Sequence, residues 1–90
     1  MAWGFLTNHA QALLCIAQDP GVRLREIATT LGITERAAFG IVTDLVEAGY
    51  IRRTRVGRRS RYGLVHERPL GDPVVATQTV ADLLALTRKR

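Results

Sequence analysis

Two short segments with helical spacing of apolar residues, separated by one tight turn, constrain the fold of this 90-residue chain most strongly. In residues 24–31 the apolar side chains recur at the i, i+3, i+4 and i+7 positions, which places them on one face of a helix. Gly32 follows directly and suits the left-handed residue found after a helix end. Thr34 then suits the N-cap of the next helix, with Glu35 in its first turn. The sequence therefore predicts two helices joined by a tight turn, the second over residues 34–48.

The apolar period changes from helical to alternating after that helix, which predicts a pair of strands. With a hairpin tip at residues 57–58, Ile51 lies across from Leu64 and Arg53 lies across from Tyr62. The glycine at the tip supplies the permissive turn residue. The apolar residues at the open end then share one face, so we expect the base of the hairpin to be anchored against the helices.

Helices are also predicted on either side of this unit. Asn8 and Gln11 have the spacing of a capping box and open a helix over about residues 8–18. Asp72 can cap a last helix, with Pro73 at its first position. The apolar stretch VADLLAL in that helix should be buried, either on the first helix of the same chain or on a second copy of the chain.

Positive charge is concentrated in the predicted hairpin. The formal net charge is +5, but residues 51–68 alone carry +6, whereas residues 1–50 carry −2 and residues 69–90 carry +1. Six arginines lie in the ten positions 52–61. A focused basic surface favours a polyanionic partner, and arginine suits bidentate contacts with phosphate and guanine. The alternative is a solvated hairpin whose charges keep other strands from pairing with it.

No set of residues has the spacing of a catalytic site, a metal site or a glycine-rich phosphate loop. His9 and His66 are isolated in the sequence, and the single cysteine, Cys15, lies in an apolar run typical of a small buried residue. We therefore expect neither enzymatic activity nor a cofactor or metal. The sequence also lacks a membrane-spanning apolar run and a secretory signal, so we expect a cytoplasmic location.

The order of helices, tight turn and basic hairpin resembles the winged helix-turn-helix domains of bacterial transcription regulators of the MarR and ArsR type. The resemblance covers about residues 8–65 and rests on Ala28 and Gly32, on EAGYI at 47–51 and on the arginine-rich hairpin. It implies a mainly α fold with a small β-hairpin: a three-helix core, a wing and an additional C-terminal helix. It also implies a regulator of transcription that binds double-stranded DNA at specific sequences, and we expect a repressor associated with the nucleoid.

The resemblance also implies which residues contact DNA. The helix over 34–48 would enter the major groove, and the wing over 52–63 would contact phosphates or the minor groove. On the presented face of the helix lie Thr34, Glu35, Arg36, Ala37, Phe39, Gly40 and Thr43. The wing contributes Arg52, Arg53, Arg55, Arg58, Arg59 and Arg61, of which Arg53 could instead stack on Tyr62. Phe39 either contacts thymine methyl groups or packs within the protein. Because this face has few long polar side chains, we expect a large contribution from phosphates and DNA shape.

The expected division of the chain is a DNA-binding domain over 1–67, a hinge over 68–73 and a C-terminal helix over 74–90. Helices that flank the winged core form the dimer in MarR-type proteins, so the resemblance implies a homodimer. The residues expected at its interface are Trp3, Phe5, Val80, Leu83 and Leu84. The sequence indicates no particular small-molecule effector.

A winged helix is also used as a protein contact, because fold alone does not determine function. The main alternative is therefore a winged-helix interaction module of a larger complex that binds nucleic acid only non-specifically. Binding to structured RNA is a third possibility.

Overall fold

The computed structural model describes residues 4–87, which form three helices, a two-stranded antiparallel hairpin and a C-terminal helical segment. The elements are α1 (Asn8–Gln18), α2 (Leu24–Leu31), α3 (Glu35–Glu47), β1 (Ile51–Val56), β2 (Arg59–Leu64), a 3₁₀ turn (Pro73–Val75), α4 (Val80–Leu84) and a second 3₁₀ turn (Ala85–Thr87). This architecture confirms the predicted winged helix. Within residues 4–87, no helix is both long enough and apolar enough to cross a membrane.

The turn between α2 and α3 has the predicted form. Gly32 adopts a left-handed conformation with φ of 70°, and the amide of Ile33 donates to the carbonyl of Ala28 at 3.0 Å. Thr34 caps α3, because its hydroxyl oxygen accepts a hydrogen bond from the amide of Ala37 at 3.0 Å. This local chemistry sets the crossing of the two helices and leaves one face of α3 exposed.

The cap of α1 differs from the prediction. Thr7, not Asn8, is the N-cap, and its hydroxyl oxygen accepts from the amide of Ala10 at 3.1 Å. The side chain of Gln11 donates instead to the carbonyl of Leu6 at 3.2 Å. The Thr7 hydroxyl, one residue before Asn8, accepts from the amide at the third position of the helix. The helix therefore begins at the predicted residue but has a different N-cap.

The hydrophobic core joins the three helices to the base of the hairpin. Its buried members are Ala12, Leu13, Ile16, Ile27, Ala28, Ala38, Ile41, Val42, Leu45, Ile51, Tyr62 and Val80. Apolar burial of this kind is the main stabilising contribution in a domain of this size. Since Ile51 and Tyr62 belong to it, the hairpin is fixed at its open end and projects from the helices at its tip.

The hairpin has the predicted register. Ile51 pairs with Leu64 and Arg53 with Tyr62, and the glycine at the tip has φ of 63°. A further hydrogen bond, from the amide of Tyr62 to the carbonyl of Pro20 at 3.0 Å, joins β2 to the turn between α1 and α2. The wing is therefore connected to the turn that precedes α2 as well as to the hydrophobic core.

The C-terminal segment departs from the predicted single helix over 74–90, which is wrong for the residues described. Only the five residues of α4 are α-helical, between two 3₁₀ turns, and residues 88–90 lie outside the described part of the chain. The stretch 68–73, predicted to be a hinge, is instead held by the bonds Leu70 N to Gln78 O at 2.8 Å and Val80 N to Arg68 O at 3.0 Å. The helix α4 has its own N-terminal capping interaction, in which Thr79 N donates to Asp82 Oδ2 at 2.9 Å. It therefore begins separately from the preceding 3₁₀ turn.

Tyr50 links this returning segment to the winged core. Its hydroxyl donates to the carbonyl of Leu70 at 2.9 Å, and the guanidinium of Arg68 lies 4.6 Å from its ring centroid. Arg68 Nε also donates to the carbonyl of Ala48 at 3.1 Å. These contacts hold the segment against the end of α3.

The substitution Tyr50→Phe should lower the free energy of unfolding by about 1 kcal/mol, because one hydrogen bond is lost while the ring contact with Arg68 remains. Urea denaturation measures the change. Tyr62→Phe is the matched control, since the Tyr62 hydroxyl makes no hydrogen bond within residues 4–87. An unfolding midpoint for Tyr50→Phe equal to that of the wild type would contradict this role of the hydroxyl.

Candidate nucleic-acid interface

The exposed face of α3 contains most of the residues predicted for it. Thr34, Glu35, Arg36, Ala37, Phe39 and Gly40 are all exposed, whereas Ala38, Ile41, Val42 and Leu45 are buried as the helical period predicts. Arg36 and Glu35 are the long polar side chains in the exposed set. The hydroxyl oxygen of Thr34 already accepts the capping hydrogen bond, so its first function is to begin the helix.

Phe39 and Thr43 differ in how far they reach the surface. Phe39 is 52% exposed, and a Cβ added at the neighbouring Gly40 would meet no atom within 4 Å. Thr43 is only half-buried, but its hydroxyl oxygen is buried and has no hydrogen-bond partner. Close by, α1 approaches α3 through His9 Nε2 and Asp44 Oδ2, 2.8 Å apart. The middle of α3 therefore presents an apolar ring beside an open backbone, without an exposed Thr43 hydroxyl.

The wing carries its six arginines in exposed positions, but strand alternation divides them. Arg53 and Arg55 share the face of the sheet that includes Tyr62, and Arg52 and Arg61 lie on the opposite face. Among residues 4–87, the arginine that lies over a tyrosine ring is Arg68, on Tyr50, so the alternative stacking of Arg53 on Tyr62 is not observed.

Arg59 connects the wing to the helices. Its Nη2 atom donates to the carbonyl of Gly21, next to the hydrogen bond between Tyr62 and Pro20. A Cβ added at Gly21 would lie 3.6 Å from Arg59 Nη2 and 3.7 Å from Arg61 Nη1, so both guanidinium groups lie close to the turn. Arg59 therefore has a structural contact in addition to the DNA contact predicted for it.

A groove of about 530 Å³ runs between the wing and the start of α2. Its charged lining residues are Arg23, Arg25, Glu35, Arg58 and Arg59, a net charge of +3. The first turn of α3 and the tip of the wing thus border the same basic groove. Sequence reasoning missed Arg23 and Arg25 because they belong to the half of the chain whose net charge is negative. The sequence signal that could have identified them is their position at the start of α2, the helix that precedes the tight turn.

Comparison with known protein families identifies the family of this chain. A model described as the MarR family matches residues 3–61, from the first helix into the second strand of the wing. The chain belongs to the MarR family. No curated protein matches it.

MarR-family proteins are DNA-binding transcriptional regulators and not enzymes, and they bind double-stranded DNA, generally as dimers. Membership in the family confirms the resemblance read from the helix-turn-helix spacing and the basic hairpin. The matched residues include all but one of the residues that line the basic groove described above, from the start of α2 to the wing.

The residues expected at a dimer interface have different environments in this MarR-family chain. Val80 is 0% exposed within its own chain, where it belongs to the hydrophobic core. Leu83 and Leu84 are half-buried against that same core. Phe5 is 92% exposed, and Trp3 lies outside the described residues. The apolar stretch predicted to need burial is therefore only partly buried within its own chain, since Leu86 is 66% exposed.

Two further features of this chain lie away from the basic groove. Burial raises the pKa of the Cys15 thiol above its ordinary value, which disfavours the thiolate needed for redox chemistry. A second groove, of about 620 Å³, lies between the end of α1 and the C-terminal segment and is bordered by Ala17, Leu64, His66 and Leu84. Among residues 4–87, no group of three or more histidine, cysteine or acidic side chains could hold a metal ion.

Proposed function

We propose that this MarR-family protein is a transcriptional repressor that binds double-stranded DNA at specific sequences, with α3 in the major groove and the wing on phosphates or in the minor groove. The observation that carries the proposal is the groove that Glu35 of α3 and Arg58 of the wing line together. A duplex lying against the exposed face of α3 would meet the tip of the wing at the same time. Repression follows where such a site overlaps a promoter.

Different side chains account for sequence-specific binding and for sequence-independent binding. Arg36 and Glu35 can form hydrogen bonds with guanine and cytosine, whereas Ala37, Phe39 and Gly40 offer only close approach and apolar contact. The exposed wing arginines supply contacts with phosphates that do not depend on sequence. We therefore expect substantial affinity for any duplex and a smaller preference for the target site.

Selection of bound duplexes from a random pool at two salt concentrations tests the proposal. The expected result is a short enriched motif at the higher salt and weaker enrichment at the lower salt, where phosphate contacts dominate. Purified protein that fails to bind duplex DNA even at low salt would overturn the proposal. Competition by duplex RNA at equal salt tests the RNA alternative, which requires RNA to compete at least as well as DNA.

Arg36→Ala should change sequence preference more than general affinity. Loss of a bidentate contact with guanine reduces discrimination by about 1–3 kcal/mol, so binding to the selected site should fall about 5- to 150-fold while binding to random duplex changes little. Fluorescence anisotropy with both duplexes measures the difference. Arg52→Ala, which removes the same charge at the base of the wing, is the control and should affect both duplexes alike. Equal losses for Arg36→Ala on the two duplexes would remove Arg36 from base recognition.

The half-exposed Phe39 next to Gly40 favours a second candidate, a winged-helix module that binds another protein. Phe39→Ala distinguishes the two candidates. A repressor should lose preference for its selected site, whereas an interaction module should keep its weak, sequence-independent DNA binding unchanged.

A homodimer is part of the proposal. Its support is that MarR-family proteins are generally dimers and that Phe5 and Leu86, near the two chain ends, are 92% and 66% exposed. A dimer would bind two half-sites about one helical turn apart. Sedimentation equilibrium should give twice the 9.9 kDa chain mass, and a single-chain mass at micromolar concentration would contradict it. DNA binding of this kind would place the protein on the nucleoid, in the cytoplasm.

A further inference from the structure

The basic groove between the wing and α2 holds four arginines from two distant parts of the chain. Arg23 and Arg25 come from the start of α2, and Arg58 and Arg59 come from the hairpin. The hydrogen bonds from Tyr62 to Pro20 and from Arg59 to Gly21 bring these two parts together. The groove is therefore a tertiary feature that neither segment forms alone.

These arginines form no ion pair with an acidic side chain of the described residues. Within residues 4–87 the single ion pair joins His9 and Asp44, so no carboxylate pairs with a guanidinium in the groove. The carboxylate of Glu26, the acid nearest to Arg23 along the chain, accepts a hydrogen bond from the backbone amide of Arg23 at 2.9 Å. Glu35 lines the groove without forming an ion pair there.

Four guanidinium groups around one groove repel each other, and this repulsion is relieved when an anion binds among them. Guanidinium donates two parallel hydrogen bonds in a geometry that matches phosphate oxygens. A carboxylate on the same rim would oppose a bound anion. The groove thus has the charge and the donors for a phosphate group, and one acidic residue that limits its affinity.

We propose that this groove is a phosphate-binding site in which Arg23 and Arg25 act together with Arg58 and Arg59. The phosphate comes either from the DNA backbone beside the wing or from a free phosphorylated compound, and only the first case rests on the function proposed above. In the first case Arg23 and Arg25 join the DNA interface and hold the backbone between α2 and the wing. In the second case the groove binds the compound whether or not the protein binds DNA.

The double variant Arg23→Gln/Arg25→Gln tests the DNA source. Both residues are exposed, and glutamine retains the backbone amide that bonds to Glu26. Loss of two phosphate contacts should reduce the slope of log K against log salt by about 1.8 and weaken binding equally for selected and random duplexes. The charge-matched control Lys89→Gln/Arg90→Gln removes two charges at positions outside the described residues, and an equal fall in its slope would assign the effect to total charge.

Inorganic phosphate tests the free source. Titration followed by ¹H–¹⁵N NMR should shift the amides of residues 21–25 and 58–60 in the wild type, and Arg23→Gln/Arg25→Gln should abolish these shifts. Glu35→Gln should have the opposite effect and tighten phosphate binding several-fold, because a repelling charge is removed. A merely structural function of Glu35 would not improve phosphate binding. Thermal denaturation of each variant confirms that it is folded.

The two arms give distinguishable outcomes. A salt slope reduced by about 1.8 in the arginine variant, together with loss of the phosphate shifts, assigns the groove to the DNA interface. Loss of the phosphate shifts alone assigns it to a free phosphorylated compound, and this holds even if the wild type binds no duplex and the proposed function fails. An arginine variant that retains the wild-type salt slope, together with no groove shifts up to high phosphate concentration, overturns the inference.

Discussion

Replacing Arg55 and Arg58 at the tip of the wing with glutamine should weaken duplex binding about 60-fold at 0.1 M salt. Each lost phosphate contact lowers the slope of log K against log salt by about 0.9, so two contacts account for about 1.8 decades between 0.1 M and 1 M salt. Both side chains are exposed, and the base of the hairpin is fixed to the core through Ile51 and Tyr62. Anisotropy titrations at four or more salt concentrations give the slope directly.

The matched control removes the same two charges at the base of the wing, in Arg52→Gln/Arg53→Gln. Three residue steps of strand lie between Arg52 and Arg55, a distance of about 10 Å that is close to one Debye length at 0.1 M salt. We therefore expect the control to lose less affinity than the tip variant. Equal losses for the two pairs would show that the wing acts through its total charge and not through contacts at its tip.

Replacing Ile27 with alanine should lower the free energy of unfolding by about 2–5 kcal/mol, from the lost transfer energy and the cavity left behind. Ile27 is 0% exposed in α2 and belongs to the same buried cluster as Ile16 and Val42. A small domain has about 5–15 kcal/mol in total, so this single change removes a large part of it. Each kcal/mol should lower the midpoint of thermal unfolding by about 4–8 °C in a chain of this length.

Two further variants separate packing from other effects. Ile27→Val leaves a smaller cavity and should lose only about 0.5–1.5 kcal/mol. Val74→Ala, at a residue that is 97% exposed, should stay within about 0.5 kcal/mol of the wild type. The Ile27→Ala protein that remains folded should keep the wild-type salt slope on DNA, because no phosphate contact is removed. A loss below 1 kcal/mol would place Ile27 outside the tightly packed core.

The helix-turn-helix unit and the wing could be predicted because their signals are local. A left-handed glycine at 32, a capping threonine at 34 and the alternation around a glycine at 57 each act within a few residues. The C-terminal segment could not be predicted in the same way. Its apolar residues have helical spacing, but hydrogen bonds to Arg68 and His66 divide the segment and bury Val80 in the core. Tertiary contacts there outweigh helical periodicity.

The candidate site also combines features that local sequence signals predict with features that depend on tertiary packing. The exposed residues at the start of α3 and the six exposed wing arginines follow from period and charge, whereas the buried Thr43 hydroxyl depends on how α3 packs in the fold. The grouping of Arg23 and Arg25 with Arg58 has no signal in sequence spacing, since more than thirty positions separate them. It depends on the bonds that join the wing to the turn between α1 and α2.

The sequence by itself determined the order of the helices, the tight turn, the register of the wing and the excess of positive charge in it. These features follow from short-range backbone preferences and from the faces that periodic apolar residues create. Only the tertiary structure decided that Arg59 bonds to Gly21, that Val80 belongs to the core and that four arginines surround one groove. Each of these depends on contacts between residues distant along the chain, and such contacts form only when the whole core packs.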